Sequence, residues 1–206
     1  MKAFLFLLAI SVTMHVAAQT KETYGMFRKS DGSRIKGTVK LKGFEDQISI
    51  SNYTGGSDNS GAIEIEVPSG IYVAEFRNLM NTVSNGSKVI AASPKTIAEP
   101  ATIRKDAGVR PSPTMQMEPA KPRLARAEIS VTENNPPQYL HRTVSQIVLE
   151  DLIIESCTDN ATTGTTRIKL KGSRIGWVYY SFDSKGNRRS NQSGWNTVTG
   201  QQWNNF

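Results

Sequence analysis

The sequence predicts an all-β protein, a small β-barrel of two sheets that carries one short or degraded helix. Four observations predict it. Apolar and polar residues alternate with period two in several runs, as where Ile35, Gly37, Val39 and Leu41 interleave with Lys36, Thr38 and Lys40. All three tryptophans, Trp177, Trp195 and Trp203, fall in a β-rich stretch over residues 165–203. Within that stretch Asp183, Gly186 and Asn187 supply turn backbone between two strand-like runs, which is a hairpin signal. Finally, Pro94, Pro100, Pro111, Pro113, Pro119 and Pro122 are spaced so that no ordinary helix survives among them.

The chain has 206 residues, enough for one domain with insertions or two small ones, and 37% of them are hydrophobic. That is low for a single compact core, so part of the chain is expected to be extended. Residues 1–19 read as a cleavable leader: Lys2 is a short basic region, residues 3–12 are apolar, and Ala17, Ala18 and Gln19 form a small-residue cleavage site. The apolar run is too short to span a bilayer, and no later run is longer, so no integral membrane segment is expected. The expectation is a secreted or periplasmic protein: a signal peptide over 1–19, then a β domain over 20–206 with a flexible Pro-rich insertion at about 81–122.

The elements follow in order. Thr23 to Arg28 reads as a first strand, and Ser30, Asp31, Gly32 and Ser33 as a turn. Residues 35–41 and 47–53 read as half-buried strands joined by a short connection. Residues 54–61, rich in Gly, Ser, Asn and Asp, read as a loop. Ile63, Ile65 and Val67 alternate with Glu64 and Glu66 up to Pro68, which stops a strand. Residues 71–76 read as another strand, with a short helix over 74–80 as the competing reading. Residues 81–100 read as an extended excursion, and Met115 to Glu118 as one helical turn behind Pro113 and a Ser112 cap.

Strand alternation restarts at residues 127–132, and the longest β run covers 139–156. There Ile147 and Leu149 share one parity while Leu152 and Ile154 have the other. A period-two strand buries both sets only if it slips by one residue, so a bulge is expected near Glu150 and Asp151.

From Tyr139 onward these residues resemble the haemolysin-coregulated protein (Hcp) family, the tube protein of type VI secretion. Tyr139-Leu140, then Ile147 through Ser156 with its Leu149-Glu150-Asp151-Leu152 core, resembles the family's long central strand. Arg167 to Phe182 resembles its aliphatic-then-aromatic strand, and Gly194-Trp195-Asn196 its closing strand. Met26-Phe27, Asp31-Gly32, Ile35-Lys36-Gly37 and Ile48-Ser49-Ile50 match the opening strands in order, and Arg104-Lys105-Asp106 with Ser112-Pro113 matches a middle segment. The chain departs from the family in its leader and in lacking a regular helix over 81–122. The resemblance implies a structural protein that self-associates into hexameric rings and carries secreted effectors. A monomeric periplasmic or cell-surface binding module on the same barrel is the alternative.

Other chemistries find little footing. Formal net charge is +7, but the basic residues are scattered, and apart from the last hairpin they do not mix with stacking aromatics, so nucleic acid is not an expected partner. Cys157 is the only cysteine and ends an apolar strand, which reads as a buried small hydrophobe. With His141 the only histidine after the leader, nothing remains to build a transition-metal site, and no cofactor is implied. Glu45/Asp46 and Glu150/Asp151 are adjacent acids that a regular strand points to opposite faces, so neither pair is expected to converge on a substrate. Ser173 and Ser193 read as turn serines outside any nucleophile elbow. The sequons at Asn52, Asn85, Asn160 and Asn191 matter only in a glycosylating host. Trp177 and Trp195 are expected in the core, with Trp203 divided between core and surface. No catalytic residue is assigned.

Overall fold

The computed structural model describes residues 21–86, 124–135 and 140–206. Its elements are β1 Lys21–Lys29, β2 Arg34–Ile35, β3 Ile48–Ile50, β4 Asn52–Gly55, β5 Ala62–Pro68 and α1 Ile71–Gly86. There follow β6 Leu124–Asn135, β7 Leu140–Asn160, β8 Thr165–Phe182, β9 Arg188–Asn196 and β10 Gln201–Gln202. The leader, most of the Pro-rich segment and the helical turn expected at Met115 lie outside the described residues.

Antiparallel pairing runs from β1 to β6, then to β7, β8, β5 and β4. β4 follows β3 across the single residue Ser51, and β3 pairs back onto β1. The circuit therefore closes into a barrel, which removes strand edges from this part of the protein. Among the described residues all strands belong to one continuous sheet rather than two separate ones. The inward faces supply the core: Phe27, Ile48, Ile65, Ile129, Leu149, Leu152 and Ile168 are wholly buried.

Residues 71–76 are helical, not extended, and α1 continues through Asn81 to Gly86 into what reads as an extended excursion. The burial pattern gives the reason. Tyr72, Val73 and Phe76 are buried and Leu79 packs beside them, a helical spacing that period two does not match. Phe76 meets Phe27 edge to face at 5.1 Å, so the helix plugs the barrel with an aromatic pair. Local signals for this helix are weak, with no acid in its first turn and no base in its last. Tertiary burial, not propensity, stabilises it.

The strand expected over 35–41 also shortens, to β2 alone. Past Ile35 the chain folds into a loop in which the Gly37 and Val39 amides donate to the Asp46 and Gln47 carbonyls at 2.8 and 3.2 Å. Phe44 then stacks on Tyr24, ring centres 4.8 Å apart, on the face of β1 that points away from the core. The loop therefore covers outer sheet surface instead of adding a long strand.

β8 changes neighbours midway. Residues 165–171 pair with β5, whereas 174–182 pair with β9. Between them the Gly172 amide donates to the Gly61 carbonyl and the Thr197 amide to the Ser173 carbonyl, both at 2.9 Å. Opposite lies Asp151, with φ of 50°. This residue replaces the expected bulge: Glu150 stays opposite Arg174 and Leu152 opposite Gly172, so register is kept while the side-chain parity flips. The actual register shift falls lower, between Ile154 and Ser156. It turns Cys157 toward the core opposite Ile168.

Candidate functional site

The face of β1, β6, β7 and β8 that points away from the core is unusually polar and connected. Arg126 Nε lies 2.7 Å from Glu128 Oε1, and its Nη1 lies 2.8 Å from Glu150 Oε1. Arg174 reaches Glu150 at 3.3 Å and Asp151 at 2.8 Å. The Gln146 amide donates to Glu128 Oε2 at 3.0 Å, and the Tyr180 hydroxyl donates to Gln146 Oε1 at 3.2 Å. These groups come from alternate positions on three neighbouring strands, where cross-strand side chains naturally meet. Glu150 and Asp151 were expected to diverge; the positive φ of Asp151 lets both touch Arg174. Each is matched by a guanidinium, which suits a fixed scaffold rather than proton transfer.

Beside this lane is a cavity of about 370 Å³. Its floor is Glu128, Ser130 and Gln146, one wall is the loop bearing Phe44 and Gln47, and Arg34 and Arg188 stand at its sides. Arg188 lies 4.8 Å from the centre of the Tyr180 ring, a cation–π distance.

His141 Nδ1 is 3.4 Å from Glu22 Oε2, and the Tyr24 hydroxyl also donates to Glu22. Burial, then the bond to Glu22 and its charge, push the Tyr24 hydroxyl well above the ordinary phenol range. A phenol so held is a poor nucleophile at neutral pH, and no serine or cysteine hydrogen-bonds this histidine among the described residues. Burial likewise raises the Cys157 thiol, against the opposing pull of Arg77. Ser173 donates to the Asp151 carbonyl at 3.3 Å as part of the β8 corner. Among the described residues no group of three or more His, Cys, Asp or Glu is placed to hold a metal ion, and no helix there is long and apolar enough to cross a membrane.

The tryptophans sort differently from the expectation. Trp177 and Trp195 pack against the core only partly buried, while Trp203 is 8% exposed. Trp203 belongs to a C-terminal strap laid over β8 and β9. Its amide donates to the Gly194 carbonyl at 2.9 Å, and its ring lies 4.7 Å from that of Phe206. A Cβ on Gly176 would meet the Phe206 ring at 2.7 Å, so a glycine notch receives the strap. Sequence reading had no signal for this, because the notch is made by two glycines on different strands.

A closed antiparallel barrel, plugged by one helix and extended by a β9–β10 flap, defines the class. Within it, the fold is that of the Hcp proteins of type VI secretion. A solved structure described as a type six secretion system protein matches with a TM-score of 0.57 and 10% identity, covering 89% of this chain and 100% of that one. Hcp1 from Salmonella typhimurium matches with a TM-score of 0.53 and 9% identity over 89% of this chain and 99% of its own. The secreted protein Hcp3 from Pseudomonas aeruginosa matches with a TM-score of 0.50 and 14% identity, over 84% and 97%. No protein-family model and no curated protein matches the sequence.

Proposed function

We propose that this chain is an exported, non-enzymatic structural subunit of the type VI secretion tube kind, which self-associates into closed hexameric rings and carries a secreted effector. The observation that carries the reading is the Hcp fold across 89% of the chain. Supporting it, residues 188–193 of β9 have no strand on their outer side among the described residues, since β10 pairs only with Trp195 and Asn196. A strand edge of that kind invites a neighbour, and a ring needs two different surfaces that meet and close. In this reading residues 1–19 are removed on export.

The polar cavity favours a second reading, a monomeric periplasmic or cell-surface binding module on the same barrel. Light scattering on the secreted protein separates the two. A mass several times the protomer, stable on dilution, is expected; a strictly monomeric mass across a wide concentration range rejects the tube reading.

A further inference from the structure

The cavity between the Phe44 loop and the sheet is organised like a binding site, and its wiring says what it binds. Glu128, the one acid in its lining, has both oxygens engaged, Oε1 by Arg126 at 2.7 Å and Oε2 by Gln146 at 3.0 Å. Gln146 in turn has its carbonyl oxygen taken by Tyr180 at 3.2 Å. The floor is thus rigid and its acid already neutralised. Beside Gln47 and Thr143, which can both donate and accept, what still faces the cavity is donor chemistry. Ser130 is 7% exposed and receives only a long contact from Gln146 at 3.5 Å, so its own proton has no acceptor among the described residues. Arg34 and Arg188 come from different elements, β2 and β9, and form no ion pair with any described carboxylate. The Arg188 guanidinium is steadied over the Tyr180 ring.

We propose that this cavity binds a carboxylate, held between Arg34 and Arg188 and hydrogen-bonded by Ser130. Guanidinium groups match carboxylate geometry two bonds at a time, and a carboxylate accepts every donor left open here. Phosphate is the poorer fit. Phosphate sites are typically built on helix N-termini or nests of backbone amides, and the glycine in this lining, Gly43, already donates its amide to Glu45 at 2.8 Å. A volume of about 370 Å³ lies at the small end of ligand sites, room for a short dicarboxylic acid or one acidic side chain of a partner segment. All of the residues lining the site come from one protomer.

Isothermal titration of the purified protein with glutarate, with a hexaglutamate peptide and with neutral glutaramide tests it. Saturable binding of glutarate or of the peptide, and none of glutaramide, is expected. Binding of glutarate alone assigns a free small acid; binding of the peptide alone assigns an acidic partner segment. Arg34→Gln and Arg188→Gln, both at exposed positions, should each weaken binding about tenfold or more. Ser130→Ala should weaken it less, and Lys185→Gln, outside the lining, should leave it unchanged. No binding of either acid, equal binding of glutaramide, or an equal loss with Lys185→Gln would overturn the proposal.

Discussion

Asp151 sits with φ of 50° and its carboxylate 2.8 Å from the guanidinium of Arg174, and this pair holds the corner at which β8 passes from β5 to β9. The left-handed backbone matters more than the ion pair. It lets Leu149 and Leu152, three residues apart, both reach zero exposure, whereas an exposed ion pair adds only about 0–1 kcal/mol.

Substitutions at Asp151 should therefore separate backbone from charge. Asp151→Gly is expected to stay within about 1 kcal/mol of the parent, because relief of the strained φ offsets the lost pair. Asp151→Val should lose about 1–3 kcal/mol, since a β-branched residue resists that conformation. Urea unfolding of both variants measures the difference; equal losses would place the effect in the ion pair.

Gly61 is the same corner seen from the loop before β5. It has φ of 70°, and an added Cβ would lie 2.5 Å from the Gly172 carbonyl oxygen and 2.8 Å from a methyl of Thr197. Gly61→Ala is expected to destabilise by about 1–3 kcal/mol. Amide exchange should show the loss spreading to Gly172 and Thr197, which share the junction.

The helix plug offers a larger effect. Phe76 is wholly buried against Phe27, so Phe76→Ala should cost about 3–5 kcal/mol. Phe76→Leu should cost less, because it keeps most of the volume. Denaturant midpoints order the two variants.

The C-terminal strap should come loose when its notch is filled. In Gly176→Val the new side chain takes the space of the Phe206 ring, which an ideal Cβ would already approach to 2.7 Å. Trp203 then becomes open to an aqueous quencher, and the fraction of quenchable tryptophan fluorescence is expected to rise. An unchanged fraction would mean that Phe206 does not hold the strap down.

Acid should weaken the tie between α1 and the barrel. Arg77, then the Thr166 hydroxyl, hold the Asp159 carboxyl below the ordinary carboxylate range. A carboxyl lowered on folding stabilises above its unfolded pKa, and that contribution fades as pH falls through the lower folded value. Asp159→Asn should therefore flatten the acid limb of the stability profile, with less change near neutrality in high salt, where the exposed pair is screened. Melting temperatures across the acid range check the sign.

What could be read in the residues was wherever local pattern and final environment agree. Ile63, Ile65 and Val67 alternate and are buried on one side, and the turn at Asp183 with Gly186 joins β8 to β9 as its chemistry requires, the Asp183 carboxylate accepting the Lys185 and Asn187 amides at 2.9 and 2.8 Å. The parity conflict in β7 was also legible, but not its resolution: a bulge and a left-handed residue answer the same conflict, and only the neighbour exchange of β8 selects the second. The candidate site was hardly legible at all. Arg34, Ser130, Gln146 and Arg188 lie far apart in the chain and are joined only by barrel closure and the folded Phe44 loop. By itself, then, the sequence determined a β-rich chain, several of its strands and its last hairpin, because alternation and turn chemistry act over a few residues. The helix at 71–86, the corner at Asp151, the glycine notch and the cavity were decided by tertiary structure. Each depends on burying apolar surface or pairing charge between segments that no short-range signal connects.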